Sequence, residues 1–273
     1  MSAGAVPTLN LVGAGHVGRV LGRLFREAGA FAVQDVLTRS ASSAAEAVAF
    51  IGAGHAASSM DALRPADVWL LAVGDDQIAP VARQLAERPL AGSVVFHCSG
   101  AKAAAELEAA AQAGALTASV HPVRSFADPA AVARDFRGTF CGVEGSGIAA
   151  LLPALGAIGA RIVHLDPAAK TVYHSASVFA SNYLVTVIDA ALRAYQAAGV
   201  PAALARELAA PLATETLANV LRLGPEAALS GPIARGDHAT VARQQLAVDG
   251  WDAPTGELYR ALAEATRALA ARR

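Results

Sequence analysis

Short apolar runs of strand length alternate with amphipathic helical stretches from the N-terminus to about Leu165. The runs Leu9–Val12, Ala32–Leu37, Val68–Val73, Ser93–His97, Thr117–His121, Thr139–Val143 and Arg161–Leu165 predict strands. Several are apolar at every position, as in parallel strands covered on both faces. Between them, Val17–Ala28, Ile78–Ala86 and Ala103–Ala113 predict helices. The alternation predicts an α/β fold, a Rossmann-like doubly wound parallel sheet.

After Asp166 the pattern changes. Asp166-Pro167 reads as an N-cap followed by proline in the first helical position. No glycine or proline then interrupts a helical pattern until Gly199, so one long helix to Ala198 is expected. Val172, Phe179, Tyr183 and Val187 form its expected core face. Helices over Ala202–Leu223, with Pro211 kinking or splitting it, His238–Ala247 and Glu257–Ala271 complete an all-α region. The expected domains are residues 1–166, binding a nucleotide, and 167–273, helical.

Composition narrows the function. With 22 Lys+Arg against 23 Asp+Glu, the net charge is −1, and the basic stripe of a nucleic-acid-binding protein is missing. Hydrophobic residues make up 54%, but the excess is largely alanine. No apolar run reaches the roughly 20 residues that cross a bilayer, so neither nucleic acid nor membrane is expected as a partner. The N-terminus lacks the pattern of a signal peptide. Two cysteines, Cys98 and Cys141, build no disulfide framework, and a reducing cytoplasm is the expected compartment. Cys98 reads as a small core residue. His55, His164 and His238 lack metal-ligand spacing, and no metal is expected.

The sharpest motif is Gly13-Ala14-Gly15-His16-Val17-Gly18, which ends the first strand and opens the first helix. There Gly13 permits the tight turn, Gly15 the approach of a pyrophosphate, and Gly18 close packing of helix on strand. An NAD site usually carries an acid about 20 positions on. Thr38, Arg39 and Ser40 occupy that place instead and suit a 2′-phosphate, which guanidinium pairs bidentately. Asp35, the competing acid, falls short of the strand tip, so NADP is favoured over NAD. Val73-Gly74-Asp75 leaves the next strand where a loop would run beneath the nicotinamide and its ribose. Asp75 or Asp76 also suits the N-cap of the helix that follows.

On the long helix, Lys170, His174, Ser177 and Ser181 share a face. Lys170 is one of two lysines, Lys102 being the other, in a chain that otherwise uses arginine. A titratable ammonium there could donate a proton as hydride arrives, with His174 and Asn182 orienting the substrate. His121 and Ser99, at strand ends, complete the candidate catalytic set. Asp237 reads as a helix N-cap, and Arg235 beside it could clamp a carboxylate.

Together these residues resemble a known family. Gly13-x-Gly15-x-x-Gly18, His97-x-Ser99-Gly100, His121-Pro122-x-x-Ser125-Phe126, Tyr173-His174 through Ser181-Asn182-Tyr183, and Gly231-Pro232-Ile233-Ala234-Arg235-Gly236-Asp237 carry the likeness. The family comprises provisionally assigned oxidoreductases that join a Rossmann-like domain to a C-terminal helical domain of unknown function. More distantly the chain resembles the 6-phosphogluconate dehydrogenase, 3-hydroxyisobutyrate dehydrogenase and ketopantoate reductase superfamily. That resemblance implies a catalytic lysine at the start of the long helix, matched by Lys170. His174 stands where an asparagine is frequent. It also implies a homodimer through the C-terminal helices and an active site in the interdomain cleft. The expected function is an NADP-dependent oxidoreductase moving a hydride to or from a small polar carbonyl, hydroxy-acid or imine substrate. Alternatives are a non-catalytic NADP(H) sensor and a deazaflavin partner. A methyltransferase is disfavoured by Thr38-Arg39-Ser40, where it normally wants an acid.

Overall fold

The computed structural model describes residues 5–273. Eight strands, β1 (Thr8–Val12), β2 (Ala32–Leu37), β3 (His55–Ala57), β4 (Val68–Leu71), β5 (Val94–His97), β6 (Leu116–Pro122), β7 (Phe140–Glu144) and β8 (Arg161–His164), form one sheet in the order β3-β2-β1-β4-β5-β6-β7-β8. β1 to β6 are parallel. β7 pairs antiparallel with β6, and β8 runs parallel to β7. The sheet is therefore mostly parallel, with a reversed outer pair.

Six helices belong to this part of the chain: α1 (His16–Glu27), α2 (Ala41–Ile51), α3 (Asp75–Leu85), α4 (Glu108–Gln112), α5 (Pro129–Arg134) and α6 (Ile148–Ala157). The sheet is buried on both faces. Leu70 of β4 packs with Leu9, Leu11 and Phe96 on one face, and its neighbours Trp69 and Leu71 pack with Val95 and Ile78 on the other. A strand's period of two sends successive side chains to opposite cores.

The helical part comprises α7 (Lys170–Ala180), α8 (Asn182–Ala197), α9 (Ala202–Leu223), α10 (Pro225–Ala228), α11 (His238–Trp251) and α12 (Ala253–Ala270). Two compact units result, Met1–Val178 and Phe179–Arg273. The sheet unit thus extends past Asp166 to take in most of α7. Asp166 does cap its turn, accepting from the Ala168 N–H at 2.9 Å. Asp237 likewise caps α11 through Thr240 at 3.0 Å.

Three expectations change. The long helix is broken at Ser181 (φ −129°, ψ −72°), so α7 and α8 are separate. Its anticipated core face is open: Val172 is 77% and Phe179 69% exposed. Pro211 sits inside an unbroken α9. In addition, Pro167–Ala197 contains an 18-residue window apolar enough for a bilayer-crossing helix, but the break at Ser181 divides the segment into helices of 11 and 16 residues. Its first residue after the capping turn is tied into the sheet unit, as described below.

The turn after β1 is closely packed against the end of β4. A Cβ on Gly13, whose φ is +83°, would lie 2.5 Å from the Ala72 carbonyl oxygen, and one on Gly18 would lie 2.7 Å from the Ala72 Cβ. Positive φ alone costs a non-glycine residue on the order of 1–3 kcal/mol. Gly13→Ala should therefore lower unfolding stability by at least that much in urea titration, whereas Gly15→Ala, with open space around its Cβ position, should be close to neutral.

Candidate functional site

The nucleotide edge is built from backbone. Gly15 is the N-cap of α1, with no side-chain cap and no acidic residue in the first turn. The first amides of α1 are therefore free of side-chain partners at the positive end of a helix dipole, the arrangement that receives phosphates. Val17 lies partly buried against the core. His16 Nδ1 sits 2.6 Å from the Phe126 carbonyl oxygen, tying this turn to the loop after β6.

At the tip of β2, Thr38 Oγ1 donates to the Ser40 carbonyl (2.8 Å), and Ser40 Oγ accepts from the Ser43 N–H (3.2 Å) as the N-cap of α2. The Ser42 and Ser43 hydroxyls lie 3.1 and 3.0 Å from Ser40 Oγ. Arg39 is exposed beside them. Asp35 is withdrawn from any ligand. It is 3% exposed, its Oδ1 accepts from Arg64 Nη2 at 2.6 Å, and its Oδ2 accepts from the Arg64 N–H at 2.8 Å. These bonds and the Arg64 charge lower its carboxyl's pKa despite burial. At the end of β4, Val73 packs against Gly13. Gly74, rather than Asp75 or Asp76, is the N-cap of α3, and neither aspartate caps it. The two carboxylates stand in the helix's first turn, favoured by the dipole.

The second feature is a buried polar cluster behind the ends of β5, β6 and β7. Lys170 is 1% exposed. Its Nζ donates to Ser119 Oγ at 2.5 Å and to the Ser99 carbonyl at 3.2 Å, and lies 3.8 Å from Glu144 Oε1. Glu144 in turn accepts from the Ala104 N–H at 2.7 Å. Burial lowers the ammonium's pKa, and the Glu144 charge opposes the shift. Lys170 therefore points into the sheet unit, and its polar contacts are to Ser99, Ser119 and Glu144. Ser99 is committed too, its Oγ accepting from the Ala101 and Lys102 N–H groups at 3.2 and 3.0 Å. Lys102 pairs with Glu106 at 3.0 Å.

One turn further along α7, further polar groups gather against β6 and the loop after β5. His121 Nδ1 lies 3.0 Å from Tyr173 Oη, and the His121 and His174 rings stand edge to face, centroids 5.5 Å apart. His174 Nδ1 is buried without a hydrogen-bond partner. A Cβ on Gly100 would sit 2.3 Å from that nitrogen and 2.8 Å from His121 Nε2. The Asp75 charge opposes, weakly, the downward shifts of His97, His121 and Lys170.

The structure thus brings together Ser99, His121, Lys170 and His174, and separately Gly13 through Gly18 with Thr38 to Ser40. Asn182 lies beyond the break at Ser181, in the second unit, as does the exposed Arg235. Cys98 and Cys141 are free. Both thiol pKa values are raised by burial, that of Cys141 to about 12. Among the described residues no group of three His, Cys, Asp or Glu can hold a metal.

Sequence reasoning missed Glu144, Ser119 and Tyr173. The period of two along β6, which puts Thr117, Ser119 and His121 on one face, was the available signal for Ser119.

His97 and His121 are each pushed down to about 4, chiefly by burial, with the Lys170 charge adding to it. In the unfolded chain both titrate near 6.5. The unfolded state therefore binds protons that the folded state refuses as pH falls below about 6.5. Urea midpoints should be level above that pH, decline between about 6.5 and 4, and lose part of this slope in His121→Gln.

Residues 5–122 match the family described as a Rossmann-like domain, and residues 139–266 the one described as a domain of unknown function (DUF2520). No curated protein matches the sequence. Among solved structures, a Thermotoga maritima protein is 27% identical with a TM-score of 0.74, covering 97% of this chain and 100% of that one. A provisionally named NADP oxidoreductase from Bacteroides fragilis is 21% identical with a TM-score of 0.78, covering 96% and 98%. An imine reductase from Myxococcus stipitatus, in complex with NADP+, is 20% identical with a TM-score of 0.65, covering 97% and 93%. The chain thus carries a Rossmann-like domain followed by the domain of unknown function DUF2520.

Proposed function

We propose that the protein is an NADP-dependent oxidoreductase acting on a small polar carbonyl, hydroxy-acid or imine substrate. The observation that carries this reading is the β2 tip. The one acid near it, Asp35, is consumed by Arg64, while Arg39 stands free beside three serine hydroxyls at the start of α2. A 2′-phosphate is the ligand such a set recognises, and a 2′-hydroxyl has no carboxylate there to hold it. The uncapped N-terminus of α1 and the open space above Gly15 fit a pyrophosphate. The named ligand of the Myxococcus stipitatus imine reductase supports the choice of cofactor for a chain of this fold.

Nicotinamide bound at this edge supplies the hydride. The chain's own residues then have three tasks. Gly13 to Gly18 and Thr38 to Ser40 hold the phosphates. Lys170, through Ser99 and Ser119, fixes the strand ends. His121 and His174 meet the substrate's heteroatom. A second copy of this chain is the proposed cover for α9, whose Leu204, Leu208, Leu212 and Leu221 are exposed at spacings that put the first three on one stripe.

A fluorescence titration tests the cofactor. Arg39→Ala should weaken NADPH binding about 10- to 100-fold, the worth of a charge-assisted hydrogen bond pair, and leave NADH unchanged. Equal losses for both nucleotides, or tight binding of neither by the native protein, would reject the reading. For the assembly, light scattering should give twice the chain mass, and Leu208→Glu with Leu212→Glu should halve it.

A further inference from the structure

Tyr173 has no task in the reading above, yet it is placed with more care than a surface tyrosine requires. It stands one turn after Lys170 on α7, and its hydroxyl is let in by a glycine: a Cβ on Gly142 would lie 2.5 Å from Tyr173 Oη. Gly142 faces His121 in the β6–β7 register, so the bare spot on β7 adjoins the histidine that the hydroxyl reaches at 3.0 Å. The Tyr173 and His121 rings are nearly perpendicular, 88° with centroids 5.6 Å apart. On its other side His121 turns Nε2 toward Gly100, a second glycine, where the unpartnered His174 Nδ1 converges on the same point. A glycine therefore stands at each end of one imidazole, the first admitting a phenol and the second letting two ring nitrogens lie close against the backbone.

We propose that Tyr173 and His121 form a proton relay, in which the tyrosine hydroxyl donates to Nδ1 and so fixes His121 as the tautomer that presents Nε2–H to the reacting heteroatom. The chemistry of the two groups sets the direction of the bond. Burial raises the phenol's pKa and lowers that of His121, so both are neutral near pH 7. A neutral phenol is the better donor and a neutral imidazole nitrogen the better acceptor. With Nδ1 accepting, the imidazole's single proton is on Nε2. His174 Nδ1 stands buried and unpartnered beside the same glycine. The Nε2–H suits a heteroatom that accepts, a carbonyl oxygen or imine nitrogen.

The relay rests on the oxidoreductase reading, and its balance is as follows. As the substrate's C=O or C=N carbon is reduced, the π pair moves to the heteroatom, which takes the Nε2 proton. Nδ1 takes the Tyr173 hydroxyl proton in the same movement, and the imidazole ends neutral in its other tautomer. Solvent returns a proton to the phenolate. In the oxidation direction each transfer reverses. His121 is the catalytic residue here. Tyr173, which touches only His121 among the groups named, is a positioning residue that also resupplies the proton.

Long-range proton–nitrogen NMR of the protein without cofactor tests this independently of any turnover. In the native protein His121 should show a protonated Nε2 and an unprotonated Nδ1. Tyr173→Phe should convert this to a mixture of tautomers, and its thermal midpoint separates that effect from unfolding. A protonated Nδ1 in the native protein, or an unchanged His121 pattern in a folded Tyr173→Phe, would overturn the relay. The native spectrum alone decides if the variant does not fold. Gly142→Ala, which displaces the hydroxyl rather than removing it, should give the same mixture. Failure of NADPH to bind would reject the oxidoreductase reading and leave the tautomer result standing, so the two can fail separately.

Discussion

The end of the sheet depends on one buried ammonium. Lys170 is the point where β5, β6, β7 and α7 meet, and it does so through a backbone carbonyl, a hydroxyl and a carboxylate. A charge in such a place is tolerated only when its hydrogens are spent. Here two go to the Ser119 hydroxyl and the Ser99 carbonyl, and Glu144 stands 3.8 Å away as the counter-charge. Taking the ammonium away would leave Glu144 buried with only the Ala104 amide for company. The cost is large because the carboxylate, not the lysine, is then uncompensated. What the cluster secures is position: the loop from His97 to Lys102 is pinned from below, and His97 pins it again by bonding the Ala103 carbonyl at 3.0 Å and receiving the Ser99 N–H at 3.2 Å. Gly100, and with it the floor under both histidines, is held by these contacts.

The nucleotide edge works by the opposite means. It contains hardly any side chain: two glycines pressed against Ala72, one glycine left open, and a helix end without a cap. Binding groups made of backbone need only a fixed turn, and the turn is fixed by sterics rather than by charge. The two halves of the site are thus stabilised by different physics, and changes in salt or pH will not act on them alike.

Much of this was readable from the chain. The seven anticipated strands all exist, and in β1, β4, β5, β6 and β7 four consecutive buried positions account for the run that announced them. β3 escaped, being three residues of His-Ala-Ala with no β-branched side chain, and it forms only because β2 offers an edge. The direction of β7 was also hidden, since an apolar run carries no arrow. The helical stripe of Lys170 and His174 was visible, but not that its first member turns inward. That depends on Glu144, distant in sequence and carrying no local signal of its own. The break at Ser181 was invisible for a related reason: nothing in Ala180-Ser181-Asn182 forbids a helix, and the chain bends there against its local preference. Tyr173 was legible only as part of a motif. Its role follows from Gly142, and a glycine within a strand announces a close approach without naming the visitor.

The separations in sequence carry a consequence for how the molecule comes into being. Lys170 bonds Ser99 and Ser119 across 71 and 51 positions, and Tyr173 reaches His121 across 52. The β2 tip, by contrast, is closed within Thr38–Ser43, and the Gly13 turn by Leu37 and Ala72. Loop closure of the longer kind waits on the strands between. On the proposed reading, the chain can complete its nucleotide cradle before the strand ends beneath its proton donor are joined. A partly folded protein of this kind can hold a cofactor before it has the means to use it.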